Sequence, residues 1–310
     1  MNFDQFTDRT AQAVRDSLGE DCRVSLQKVT KNNGVELTGL ILGKEGNRVF
    51  SVVYLDSFFR EYTEGKPFRQ VCRSVLSLCR ENPPRDGMSL DFLQDYEKVR
   101  KRLGCRLING ERNHWMREEY PCRSLQNLLM VPCCVLPDES PDCASMLISR
   151  KLLDLWKIDE DKLFADAMAN LPRILPPTLI SMEGFMRREL SGEKGEKREQ
   201  EPVPGRHLYI LSNEKHFYGA ASLLYPGILR RAEDRLGGPL IILPSSVHEV
   251  LLLVNDQETA AADLYEMVRS VNREYVSGEE FLSDDVYYYD TAQDTVRLLP
   301  FIQLAEETEL

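Results

Sequence analysis

Apolar residues recur along the first eighteen positions at near-helical spacing, with Phe3, Phe6, Ala13, Val14 and Leu18 near one face. Side chains three and four apart share a helical face, so the pattern predicts a helix over about Asp4–Leu18, closed by Gly19. From Cys22 the period falls to two: Cys22, Val24 and Leu26 point one way, and Lys31-Asn32-Asn33-Gly34 reads as a turn. Val35–Leu42 and Arg48–Leu55 continue as two more strands of a β-meander. Helical spacing returns behind Pro67, at Phe68, Val71, Cys72, Val75, Leu76 and Cys79, and Asn82-Pro83-Pro84 ends it. Another helix, opened by Ser89, is expected through Phe92, Leu93, Tyr96, Val99 and Leu103.

Strand-like runs follow at Cys105–Asn109, Asn127–Leu136 and Ser145–Ser149. Asp159 then caps a helix with Leu163, Phe164, Ala167, Met168 and Leu171 inward and Pro172 as its stop. Ser191–Gly205 breaks the pattern, because Val203 is its one residue able to join a core, too little burial to offset the entropy of ordering. It is expected as a flexible charged linker or surface loop between an N-terminal α+β region, 1–190, and a C-terminal one, 206–310. The remainder reads as strand (His207–Ser212), helix (Pro226–Leu236) and two strands (Leu240–Leu243, Val250–Val254). A helix over Gln257–Glu274, with Ala261, Leu264, Val268 and Val271 inward, precedes two last strands, Val286–Tyr289 and Thr295–Leu299. Strands mixed with helices, without strict βαβ alternation, predict an α+β fold of mainly antiparallel sheets with helices packed on them, as one large or two smaller domains.

Charge narrows the partners. Fifty acidic against 39 basic side chains leave a net charge of −11 on 310 residues, which repels phosphate backbones and anionic lipid. The local exception is the stretch 98–123, where Lys98, Arg100, Lys101, Arg102, Arg106, Arg112, Arg117 and Arg123 outnumber the acids; it supports a weaker RNA-binding reading. No apolar run approaches the ~20 residues of a membrane span, and acid stands where a signal peptide carries base, so a cytoplasmic protein is expected. The eight cysteines include no Cys-x-x-Cys pair, which reads as core thiols rather than a metal site or disulfides. Neither Gly-x-Gly-x-x-Gly nor a phosphate-cradling loop occurs, so no cofactor is expected.

Several phrases stand together in order: Val29-Thr30-Lys31-Asn32-Asn33-Gly34, Leu55-Asp56-Ser57-Phe58-Phe59, Leu163–Asn170, Tyr218-Gly219-Ala220-Ala221, Leu224-Tyr225-Pro226-Gly227 and Leu243–Val250. Through them nearly the whole chain resembles a family of uncharacterised bacterial cytosolic proteins, known only as a domain of unknown function. The C-terminal order is also similar to a second uncharacterised bacterial family, which carries an Arg-Asp pair near Val247-His248 or His248-Glu249. The resemblance implies placement and no activity.

Candidate chemistry concentrates in Leu240–Asn255, where Ser245, Ser246, His248 and Glu249 lie between two apolar strand-like runs. His-Glu-x-x-His is absent, since Leu252 stands where the second histidine would be, and Gly-x-Ser-x-Gly is missing. The serines therefore read as turn residues satisfying backbone groups, with His248 or Glu249 fixing the corner. The leading expectation is a binding or regulatory module with a protein partner. The alternative is a hydrolase using His248 and Glu249 with Ser245 or Ser246.

Overall fold

A computed structural model describes residues 1–19, 22–43, 50–82, 91–136, 143–191, 208–255 and 259–300. The described residues cluster into two compact units that meet in sequence between Phe92 and Leu93. The fold is α+β, with three antiparallel sheets.

In the N-terminal unit, α1 (Phe3–Leu18) starts at a capping box in which the Asn2 side chain accepts from the Gln5 N–H. The chain leaves it through Gly19 at φ +77°. Strands β1 (Arg23–Thr30), β2 (Glu36–Gly43) and β3 (Ser51–Tyr54) form the expected meander in register Val24–Leu42 and Leu40–Val53. Their inner face meets Phe6, Ala11 and Val14 of α1 and Val71, Val75 and Cys79 of α3 (Phe68–Glu81). Ala11, rather than Ala13, faces the core. The periodic pattern did not reveal α2 (Asp56–Thr63), a short helix set by contacts outside itself: the Asp56 carboxylate accepts from the Thr38 N–H at 2.8 Å.

The C-terminal unit corrects the helix expected from Ser89, a residue outside the described set. Asp91–Gln94 make a single 3-10 turn, Asp95 caps the short α4 (Tyr96–Arg100), and Leu103 already belongs to β4 (Leu103–Asn109). Helical spacing was real up to Val99, but Leu103 is buried by pairing with Cys134. A one-turn helix, α5 (Met116–Glu119), leads to β5 (Arg123–Leu125), β6 (Leu128–Val135) and β7 (Ser145–Leu147), which complete a four-stranded sheet with β4. The short α6 (Arg150–Trp156) precedes α7 (Glu160–Ile174), which is capped by Asp159 and packs on β4. It runs two residues past Pro172, so that proline does not stop it. A missing N–H near a C-terminus interrupts one ladder bond, and burial of Leu171 and Leu175 holds the last turn.

Next come β8 (Pro177–Ser181), α8 (Met182–Ser191), β9 (Leu208–Asn213), α9 (Ile228–Leu236), β10 (Leu240–Ser246), β11 (Glu249–Val254), α10 (Ala261–Tyr275), β12 (Tyr287–Asp290) and β13 (Thr295–Leu298). The six strands order as β13-β12-β10-β11-β9-β8. The segment 191–205 lies, apart from Ser191, outside the described residues, and the strands flanking it, β8 and β9, pair with each other. One face of this sheet (Leu211, Ile242, Leu252, Tyr287) packs with Leu107, Leu128 and Leu129 of the four-stranded sheet. The other face buries Ile241 and Leu243 under Leu264, Tyr265 and Val268 of α10. Tyr287 and Tyr289 are both buried and Tyr288 is half-buried, so the tyrosine run offers no exposed ring.

Candidate functional site

The site is built where β9 runs out. Ser212 and Asn213 are fully buried, and the Asn213 side chain accepts from the N–H groups of Lys215 (3.1 Å) and Phe217 (3.2 Å) while donating to Phe217 O (2.9 Å). One amide thus folds the chain into a tight turn, with His216 (φ +49°) and Tyr218 (φ +47°) in the left-handed region. Gly219 opens the 3-10 turn Gly219–Leu224, and a Cβ there would collide with the Ser212 hydroxyl and the His248 carbonyl, so only glycine fits. Ser222 then donates back to Ser212 O (2.8 Å), and Ser212 donates to His248 O (2.7 Å).

Against this turn sits the β10–β11 hairpin. Strand β10 continues through Pro244 to Ser246, beyond the expected end at Leu243, with an irregularity between Pro244 and Ser246. Pro244 is tolerated because β12 pairs only with Ile241 and Ile242, so on that side no ladder bond is interrupted. Val247 and His248 form the hairpin turn between Ser246 and its partner Glu249. The turn is held from outside: Val247 N–H donates to Glu280 O (2.8 Å), and Ala220 N–H to Val247 O (3.2 Å).

All four candidate residues therefore gather in one corner, but their functional groups face elsewhere than a nucleophile–base pair would require. The Ser246 hydroxyl accepts from the His248 N–H (3.0 Å), and the Ser245 hydroxyl reaches Glu249 Oε1 (3.4 Å). His248 Nδ1 lies 2.9 Å from His216 O and 3.3 Å from Tyr218 N, and Nε2 is 3.8 Å from Glu280 Oε1. The imidazole stacks obliquely on the Tyr218 ring at 5.5 Å. A general base needs its nitrogen within hydrogen-bond reach of the group it deprotonates, and neither imidazole nitrogen meets a serine here.

Behind Tyr218 stands Arg106 of β4, half-buried, its guanidinium 4.2 Å from the ring and bonded to the Tyr218 hydroxyl (3.1 Å) and to Ser145 O and Oγ. Five further cations of the 98–123 stretch also make contacts within the unit. Lys98 pairs with Asp95, Arg100 with Glu97 and Arg123 with Asp161, while Arg112 covers the Phe281 ring and Arg117 bonds Ser124. These cations come from two helices, two strands and a connecting loop.

Sequence reasoning missed Asn213, Ser212 and Ser222 and took Arg106 only as part of the basic stretch; these residues hold the corner together. The run of small residues from Gly219 to Ser222 was the available signal, since it marks close backbone approach. Two cavities are lined by residues other than His248. One, of about 780 Å³, is lined by Arg15, Arg23, Val24, Ile41 and Phe50 of the N-terminal unit. The other, of about 250 Å³, is lined by Leu125, Leu223, Ile228 and Tyr289. Among the described residues, no group of three or more His, Cys, Asp or Glu side chains is placed to hold a metal ion. No helix among them is long and apolar enough to cross a membrane.

A model of a family of unknown function, DUF5688, matches residues 3–291, and the chain belongs to that family. No curated protein and no solved structure matches it significantly.

Proposed function

We propose that the protein is a non-catalytic module that binds a protein partner through the outer face of α10. The observation that carries this reading is a stripe at four-residue steps: Met267 is 45% exposed, Val271 40% and Tyr275 79%. Val271 is expected inward with Ala261, Leu264 and Val268, but the face that is buried consists of Leu264, Tyr265, Val268 and Asn272. Contiguous exposed apolar side chains on a helix already sealed along its other face mark an interaction surface rather than a core. Asp263, Glu266 and Glu274 lie exposed on the same helix, together with Arg269 and Arg273. The chemistry that complements it is an amphipathic segment whose apolar face lies against the stripe. All eight cysteines are free thiols, which fits a reducing, cytoplasmic setting.

The test compares the full chain with a Met267→Ser/Tyr275→Ser variant, both changes being on the surface. A partner captured by the wild type is purified and its direct binding measured by calorimetry. The reading expects at least about a tenfold loss of affinity in the variant, equivalent to ~1.4 kcal/mol. Equal affinity would sink it. Hydrolysis of an ester or peptide substrate that disappears in a folded His248→Ala variant would establish the enzyme reading instead.

A further inference from the structure

We infer that the free edge of β1 is a second docking site, which takes an extended, acidic segment of a partner protein as an added strand. Strand β1 stands at the end of its sheet, in the order β1-β2-β3. It pairs with β2 over all eight residues, Arg23–Thr30, without a register shift. In an antiparallel ladder alternate residues bond the neighbour, and those between them turn N–H and C=O the other way.

The bonds around the strand fix which residues turn outward. Lys31 N–H donates to Val35 O (2.7 Å), which puts the odd-numbered residues of β1 on the β2 side. Thr38, opposite Lys28, gives its carbonyl to Leu55 N–H (2.9 Å) and its own N–H to Asp56 (2.8 Å), so it bonds away from β1. The even-numbered residues of β1 therefore face outward. Val24 shows it directly, its carbonyl accepting from Arg15 Nε at 3.2 Å. Leu26 and Lys28 follow, and among the described residues no group bonds their backbone N–H and C=O. Proteins blunt such edges with short strands, proline, bulges or charge. This strand is long, unbulged and free of proline, and charge alone guards it.

The same charge selects the occupant. Arg23–Thr30 carries two cations, Arg23 and Lys28, and no acid, on a chain of net charge −11. Of the acids close by, Asp16 is bonded to Gln12 and Glu36 lies on β2 opposite Thr30, while Glu20 and Asp21 are outside the described residues. Pairing β1 with β1 of a second copy would set these cations along one ladder, like charge beside like. A strand with two carboxylates five residues apart, the spacing from Arg23 to Lys28 and about 17 Å along a strand, complements both. The cavity of about 780 Å³ lies at the start of the same strand, where Cys22, Val24 and Ser25 line it with Ile41 and Phe50. It gives an apolar side chain at the end of the added strand a recess. The site belongs to the N-terminal unit and is independent of the α10 surface.

The probe is the end-capped peptide Leu-Glu-Val-Thr-Val-Thr-Glu-Leu, with its glutamates five apart and a leucine beyond each, added to the isotopically labelled full chain. Calorimetry reads its affinity, and hydrogen exchange followed by NMR reads the Leu26 and Lys28 amides. Strand addition expects saturable binding and at least about a tenfold rise in protection at those two amides. It expects about tenfold weaker binding of the peptide with lysine for both glutamates, and about a tenfold loss in Lys28→Glu. Absent binding, equal affinity for the lysine peptide, unchanged affinity in Lys28→Glu, or binding that leaves both amides unprotected would overturn the proposal. A free chain that dimerises with those amides already protected gives the edge to a second copy and overturns it as well. If Lys28→Glu does not fold, the two peptides on the wild type decide alone.

Discussion

The N-terminal unit is held where apolar side chains meet one another. Phe6 is fully buried, with the rings of Phe59, Tyr62 and Phe68 at 5.3, 5.6 and 5.8 Å, above the Leu40, Leu42 and Val53 face of the sheet. Among the described residues, its buried polar ones are two threonines within α1. The C-terminal unit has a larger apolar core and in addition buries asparagines and serines that tie distant segments together through backbone groups. Asn109 donates to Leu282 O, Asn272 to Ser283 O, and Ser212 and Ser222 lock the 212–222 turn to the hairpin. Tyr287, 1% exposed, donates its hydroxyl to Asn127, and its oxygen lies 3.0 Å from the Ser283 hydroxyl. A core of the first kind tolerates any side chain of the right volume and polarity; one of the second kind demands a particular donor or acceptor at each position.

The largest expected effect breaks the comparison if the units are energetically one. Phe6→Ala should cost the N-terminal unit ~3–5 kcal/mol, because a fully buried ring is replaced by a cavity. Both tryptophans, Trp115 and Trp156, lie in the C-terminal unit, so urea unfolding followed by their fluorescence should stay near wild type while the circular dichroism transition splits. Coincident shifts of both signals would show one cooperative body.

Asn213→Ala sharpens the other side. It leaves two N–H groups and a carbonyl of the turn without their partner, at ~1–3 kcal/mol. Asn213→Asp keeps the acceptor, so it should lose less. Equal losses in chemical denaturation would mean that the side chain fills space rather than directing the turn.

A smaller effect appears with pH. Burial first of all, with the nearby Asp285 carboxylate adding to it, raises the Tyr287 phenol despite its bonds to Ser283 and Asn127. A pKa raised in the folded state contributes stability that is complete below the ordinary phenol value and declines as pH rises above about 10. Tyr287→Phe should therefore lose ~1 kcal/mol at neutral pH through the missing bonds and destabilise less steeply on the alkaline side. Melting temperatures from pH 7 to 11 test this, and an unchanged alkaline slope counts against it.

The smallest change is Arg123→Gln. The side chains of its ion pair with Asp161 are 45% and 92% exposed, and surface pairs of this kind contribute at most ~0.5 kcal/mol, with more of the effect at low salt. A melting temperature lowered by many degrees would place Arg123 among the structural residues through its stacking on Phe164.

The amino-acid pattern by itself determined the α+β class, the N-terminal meander and most helix faces, because periodicity records which side of an element leaves water. Phe6, Val14, Val71, Val75, Leu163 and Val268 are all legible in that way. It also located the corner at Ser245–Glu249, since polar groups between two buried strands must be satisfied there. Tertiary structure alone decided what satisfies them. Asn213 lies 35 positions from His248, Arg106 lies 112 from Tyr218, and the partners offered are mostly backbone carbonyls and amides, which every residue carries alike. A bond to backbone leaves no chemical signature at its other end, so no spacing rule could have paired these residues. Nor could α10 show its exposed stripe in sequence: Val271 and Val268 are both apolar on the same helix, and only packing against Ile241 and Leu243 of β10 covers Val268.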